Sequence, residues 1–225
     1  MFSEKDFNIW ESISDLMTGL MMIFLFISLA FLYELSTFDD MVKATNKRIY
    51  EDLKMEFTEE EMAEWGAEFD ETTLAIVFDK KPEVLFDVNQ SYLKPRFQEI
   101  LSNFFPRYIK VLTLPENFEE IYEIRIEGYA SIEYGENPDL DYVYFYNMQL
   151  SQDRARHVLQ YVFGIPSMAE QKQWLRETII TNGYSFSGAD KKNDVNQQRR
   201  IEFRVMTKSE HKLKENPVVQ LLGKS

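Results

Sequence analysis

From Leu16 to Tyr33 the chain reads LMTGLMMIFLFISLAFLY, 18 residues without a charge. Wound as an α-helix, this run is about 27 Å long, close to the roughly 30 Å hydrocarbon core of a bilayer. It is apolar on every face, which a helix buried in a soluble protein rarely is over such a length. A cleaved signal peptide would need a basic leader and a small-residue cleavage site. The residues before the run include Glu4, Asp6 and Glu11, and no such site follows it. The pattern predicts a single transmembrane helix over 13–35, after a short tail, 1–12, and before chain that stays polar.

Between Phe38 and Thr72 the period changes. The stretch has no Pro and one Gly, and Met55, Met62, Trp65 and Phe69 recur at roughly helical spacing on a strongly acidic background. This predicts a helical linker or stalk over 36–72 with one packing stripe, too short for a heptad assignment.

From Thr73 the pattern is that of a compact domain, 73–207, with a flexible tail, 208–225. Leu74–Phe78 is a short β-rich run, and VLFDVN after Pro82 reads as a second extended piece. Ser91–Leu112 places Phe97, Ile100, Leu101, Phe104, Phe105 and Tyr108 on one helical face, although Pro106 should end or kink that helix. Ile121–Glu127 alternates as a half-buried strand and stops at Gly128. Ser151 reads as the N-cap of a helix with Ala155, Val158, Leu159 and Val162 inward. Thr178–Asn182 and Ile201–Val205 read as further strands. Strands alternating with helices imply an α/β sandwich, helices on one face of a mixed sheet.

Composition narrows the function classes. With 44% hydrophobic and 15% aromatic residues the chain can build a packed core. A net charge of −13 argues against a nucleic-acid partner. Without Cys there is no disulfide, thiol nucleophile or thiolate metal site, and His157 and His211 are too far apart for a local metal motif. No nucleophile, base and orienter set appears, and no cofactor is implied, so the chain is not expected to be an enzyme.

The residue that carries chemistry is Asp15, at the lip of the apolar run, with Trp10 as an interfacial anchor. A carboxylate at membrane depth costs about 2.5–3.5 kcal/mol on insertion scales, and such groups usually face a partner or a water-filled path. Thr18 and Ser14 lie within a turn of it and can hydrogen-bond its neutral or ion-bound form. The competing reading is an Asp in the headgroup region that caps the helix N-terminus; position alone leaves both open. Orientation is also open from charge. Lys5 lies before the helix and Lys43, Lys47 and Arg48 after it, which by the positive-inside rule puts the C-terminal domain in the cytoplasm.

Trp10, Asp15, Leu16, Met17 and Thr18 form W-x4-D-L-M-T before an apolar run. The pattern resembles the signature of MotB-type B subunits of ion-driven membrane motors, with one residue more between Trp and Asp than the commonest flagellar spacing. The resemblance implies that Asp15 binds the coupling ion, proton or sodium. It also implies two B chains inside a ring of five multi-span A chains (MotA/ZorA-like), and a periplasmic C-terminal domain on a single-pass inner-membrane protein.

Leu85–Pro95, Ile124–Ser131, Tyr146–Val158 and Gln198–Phe203, in that order, resemble the OmpA-like peptidoglycan-binding domain over about Leu74–Met206. That likeness makes Arg154 the grip on a stem-peptide carboxylate, a role suited to a planar guanidinium. Asn147 shapes the same pocket, and Arg199 and Arg200 match the closing strand. Where the family has Gly-His-Thr-Asp this chain has Gly128-Tyr129-Ala130-Ser131, so Ser131 replaces the expected carboxylate. Glu133, Glu136, Asp139 and Asp141 follow as candidate substitutes. Arg154, Arg156, Arg199, Arg200 and Arg204 are expected to form a local positive patch. The acidic linker and FFPRYIKVL look more like the B subunits of Zorya anti-phage defence systems than flagellar stators. That implies cytosolic defence effectors acting through the A subunit. A flagellar-type stator B subunit and a non-motor, membrane-tethered wall-binding protein are the alternatives.

Overall fold

The computed structural model describes residues 4–131, 139–187 and 199–216, without the side chains of residues 4–9, 35, 38 and 39. Met1–Lys43 and Ala44–Ser225 form two compact units. Helix α1 spans Glu4–Glu56. Within it, Trp10–Glu34 has a mean hydropathy of 2.3, has no buried residue and is long and apolar enough to cross a membrane.

The second unit is built on α1 residues from Ala44 on, followed by α2 (Glu59–Trp65). The break between them is chemically specified. Thr58 accepts from the Glu61 N–H while the Glu61 carboxylate accepts from the Thr58 N–H, a capping box. Gly66, at φ +70°, ends α2 in the left-handed conformation that Gly tolerates best. Strand β1 (Ala67–Asp70) follows directly. The expected helical linker is therefore helical only to Trp65, and its far end is an edge strand of the sheet. Ile49, Leu53, Phe57, Met62 and Trp65 belong to the core, whereas Met55 is exposed. Burying five large apolar side chains stabilises the domain far more than a solvated stalk would.

The remaining elements are β2 (Ala75–Phe78), α3 (Pro82–Leu85), α4 (Pro95–Leu112), α5 (Pro115–Phe118), β3 (Ile121–Gly128), α6 (Leu140–Gly164), a 3-10 turn (Pro166–Met168), α7 (Lys172–Thr178), β4 (Ile179–Gly183), β5 (Ile201–Thr207) and α8 (Lys208–Glu215). The sheet order is β1-β2-β5-β3-β4, with β3 and β4 parallel and the other pairs antiparallel. Period-2 alternation sorts its two faces. Ile124, Ile126, Ile201, Phe203 and Val205 are buried on the helix-covered face, and the Phe203 ring sits among Phe78, Phe104, Phe105 and Tyr108. Glu123, Arg125, Glu202 and Arg204 line the other face. The architecture is the expected α/β sandwich on a mixed sheet.

Four local expectations are corrected. VLFDVN is not extended, because Pro82 starts the short helix α3 and Phe86 forms only an isolated bridge to Leu93. Pro106 does not end α4, since Phe104, Phe105, Tyr108 and Ile109 are buried on both sides of it and outweigh the roughly 3 kcal/mol penalty. Ser151 is not an N-cap. α6 starts eleven residues earlier at Leu140, where the Asp139 side chain accepts from the Asp141 N–H. Residues 208–215, expected as tail, form α8, capped by Thr207 and tied to β5 by the Arg204–Glu210 pair.

Candidate functional site

In the first unit, α1 begins at Glu4, so Asp15 lies about three turns inside the helix and does not cap its N-terminus. The Thr18 hydroxyl donates to the Ser14 carbonyl at 2.8 Å, which leaves the Thr18 oxygen lone pairs as the group it can offer a cation. Among the described residues nothing hydrogen-bonds the exposed Asp15 carboxylate.

In the second unit, the placement of α6 is set by glycines. A Cβ on Gly128 would lie 2.2 Å from the Ser151 carbonyl oxygen, and one on Gly183 would lie 2.5 Å from the Gln152 nitrogen. Ser151, fully buried in mid-helix, donates to the Met148 carbonyl and accepts from the Ser185 N–H, each at 3.0 Å. This close approach of α6 to β3 and β4 carries Asn147 and Arg154, one turn before and one turn after Ser151 on the same face, to the loop after β3.

There a cavity of about 80 Å³ is lined by Val88, Asn89, Ala130, Ser131, Asn147, Leu150, Arg154 and Arg199. It brings together Arg154, Asn147, Ser131 and Arg199 of the five residues expected to hold a wall ligand. The fifth, Arg200, is elsewhere. Its guanidinium lies 3.6 Å from the Tyr129 ring centroid and pairs with Glu202 at 2.5 Å. Strand parity separates the two: Arg199 is in phase with the core residues Ile201 and Phe203, Arg200 with Glu202 and Arg204. The expected five-arginine patch does not form. Arg156 pairs with Asp153 and Arg204 with Glu210.

Arg154 is 3% exposed. Its Nε donates to the Gln90 carbonyl at 2.9 Å, and its guanidinium lies 5.0 Å from the Phe86 ring centroid. Among the described residues no carboxylate pairs with it. Burial pulls it down to about 10, the like charge of Arg199 acts in the same direction, and Tyr146 opposes them. Asn147 is buried and donates from Nδ2 to the Ser131 carbonyl at 3.0 Å, fixing the loop that carries Ser131. Asn89 takes the left-handed conformation, φ +57°, which Asn adopts more readily than most residues. Two cations and two side-chain amides around a small space make a receptor for an anion with two or more acceptor oxygens. Of the proposed substitute acids, Asp139 is occupied as the α6 cap and Asp141 is exposed, and neither lines the cavity. Glu133 and Glu136 lie outside the described residues.

Three contributors were missed from sequence. Val88 and Asn89 line the cavity from the α3–α4 loop, and His157 holds that loop by its Nδ1 contact to the Ser91 carbonyl at 2.9 Å. The left-handed preference of Asn89 was the available signal; nothing in the sequence marks His157.

No family model matches the chain. It is 41% identical over 219 residues to the Zorya protein ZorB of Escherichia coli (strain Crooks), covering 92% of this chain and 91% of that protein. The Zorya protein ZorB of Escherichia coli O139:H28 is 25% identical over 213 residues, covering 90% and 81%. The crystal structure of a MotB-like protein from Desulfovibrio vulgaris shares the fold, with a TM-score of 0.52 and 20% identity over 75% of this chain and 98% of that one. By identity over nearly its whole length, the chain belongs to the ZorB family of Zorya proteins.

Proposed function

We propose that this chain is the B subunit of a proton- or sodium-driven rotary membrane motor serving anti-phage defence, and that its second unit anchors the motor to peptidoglycan. The observation that carries the anchoring role is Arg154, a nearly fully buried cation without a carboxylate partner among the described residues, beside Arg199 in a cavity of about 80 Å³. A buried unpaired charge is costly and persists where a ligand supplies the counter-charge. A stem-peptide carboxylate fits the paired donors of the guanidinium.

In this reading the apolar stretch of α1 crosses the inner membrane with the N-terminus in the cytoplasm and the wall-binding unit in the periplasm. Two chains sit within a ring of five multi-span A subunits. Asp15 alternately takes up and releases the coupling ion, and each change of charge favours a new register of ring against dimer. The wall holds the dimer still while the ring turns and signals to cytosolic effectors. Asp15 lying well inside α1 supports an ion-carrying role over a capping one.

Two measurements test the two halves. Cells carrying the system with Asp15→Asn, at matched membrane abundance, are expected to lose protection in a phage plating assay; full protection would refute the ion-carrying role. Detergent-solubilised full chain is expected to co-sediment with purified wall sacculi, and Arg154→Met is not. Equal sedimentation of both would refute anchoring through this cavity.

A further inference from the structure

The loop between α3 and α4 is held on α6 through two consecutive carbonyls. Arg154 Nε donates to that of Gln90, and His157 Nδ1, one turn further along, meets that of Ser91, each at 2.9 Å. The next residue, Tyr92, lays its ring on the His157 imidazole with centroids 4.7 Å apart and planes 21° from parallel. Tyr92 is nevertheless 72% exposed, so the stack covers one face of its ring and leaves the other to solvent. Val88, which lines the cavity, is 65% exposed on the same loop.

The platform is stiff. Lys94 pairs with Asp87 at 2.9 Å across the loop, the Lys94 N–H donates to Leu85, the Gln90 N–H donates to Asp87, and Phe86 bridges Leu93. An aromatic ring already oriented by its neighbours loses little freedom when a ligand lands on it. Its open face is flat, apolar and electron-rich, and its hydroxyl edge is polar. A pyranose ring has the matching shape: one face of polarised C–H groups with hydroxyls around the rim.

We infer that Tyr92 is a saccharide-stacking residue beside the anion cavity, and that His157 is the residue that positions it. The occupant is a sugar ring of the wall glycan, covalently continuous with the peptide whose carboxylate enters the Arg154 cavity. This rests on the peptidoglycan reading of that cavity and extends it from the peptide to the glycan. The site then recognises the junction of sugar and peptide, the feature that distinguishes intact wall from free peptide. Continuity carries the assignment, because two adjacent carbonyls of one loop are fixed by the cavity's arginine and by the ring's support.

The test is calorimetric titration of the detergent-solubilised full chain with two probes: a wall disaccharide bearing its stem peptide, and the same stem peptide freed of sugar by an amidase. Wild type is expected to bind the disaccharide-peptide about tenfold more tightly. Tyr92→Ala removes that preference and leaves the affinity for free peptide unchanged, whereas Tyr92→Phe keeps both. The inference is overturned if wild type binds both probes equally, if Tyr92→Ala retains the preference, or if Tyr92→Ala weakens both probes alike, which would make Tyr92 a structural part of the loop. Wild type binding neither probe would instead refute the peptidoglycan reading itself, and this inference with it.

Discussion

Replacing Arg154 by Met separates stability from binding. A guanidinium pulled down to about 10, against an ordinary value above 12, carries about 3 kcal/mol of unfavourable environment, chiefly burial with the like charge of Arg199 added, at roughly 1.4 kcal/mol per pH unit. The sign follows from the direction. The folded state holds the proton less well than the unfolded state, so the penalty is fully present at neutral pH and relaxes only as pH rises past about 10. Two favourable contacts offset it: the bond to the Gln90 carbonyl, about 1 kcal/mol, and the Phe86 ring, about 1 kcal/mol. The balance is about 1 kcal/mol against the arginine. Arg154→Met, nearly isosteric along its stem, is therefore expected to raise the thermal midpoint by about 2–4 °C while wall binding is lost. Differential scanning fluorimetry of both proteins, with and without a soluble wall fragment, reads both effects. Ligand at about a hundred times its dissociation constant adds roughly 2.7 kcal/mol to the wild type and nothing to the variant. A variant less stable than wild type would refute the reasoning, since it would make Arg154 a fold-stabilising residue.

Other expectations follow from the same geometry. Gly128→Ala drives a Cβ to 2.2 Å from the Ser151 carbonyl oxygen and displaces α6. It should cost roughly 3 kcal/mol or more in urea unfolding and weaken wall binding as well. Arg107, whose side chain meets Glu56, Glu61 and Asn103 and covers the Phe57 ring, clamps the α1–α2 break to α4; Arg107→Ala should lower unfolding stability by roughly 2 kcal/mol. Asp79, almost buried, has its carboxyl pushed above the usual range chiefly by burial. Stability is then lost as pH rises from the unfolded value through the raised folded one, so Asp79→Asn should be more stable than wild type at pH 7 and not at pH 3, by thermal melts at both.

The apolar run, the helical face of α4 and the alternating strands were legible because each is a local periodicity. What sequence missed are cases where distant burial overrode a local rule. Pro106 sits inside α4 because the flanking aromatics have a sheet to pack on. Ser151 has the chemistry of an N-cap, yet its neighbours Leu150, Ala155 and Val158 continue a helix that begins at Leu140, and its hydroxyl serves Ser185 instead. Strand β1 was hidden because AEFD carries two acids and alternates over only four residues; its pairing to β2 was not readable locally.

The candidate site was legible in kind but not in number. Counting arginines near the motif gave five, and their placement leaves two, Arg154 and Arg199, at the cavity. Arg96, Arg107, Arg125, Arg156, Arg200 and Arg204 each hold a carboxylate. Some partners lie two or three residues away and others, such as Glu56 and Glu61 for Arg107, 51 and 46 residues away. In a chain of net charge −13, acids abound to neutralise any arginine, so a buried arginine left without one is the exception that needs a cause. Arg154 is held against Phe86 and Gln90, with the like charge of Arg199 acting on it, and the fold accepts the resulting cost. Pairing depends on three-dimensional proximity, so sequence could nominate Arg154 by motif but could not show that it lacks a carboxylate partner among the described residues. That distinction also predicts which arginines tolerate exchange to Lys. At Arg156, half-exposed and paired within one helical turn, Lys keeps the charge and the function. At Arg154 a point charge cannot reproduce the forked donors, and wall binding falls even though the charge is conserved.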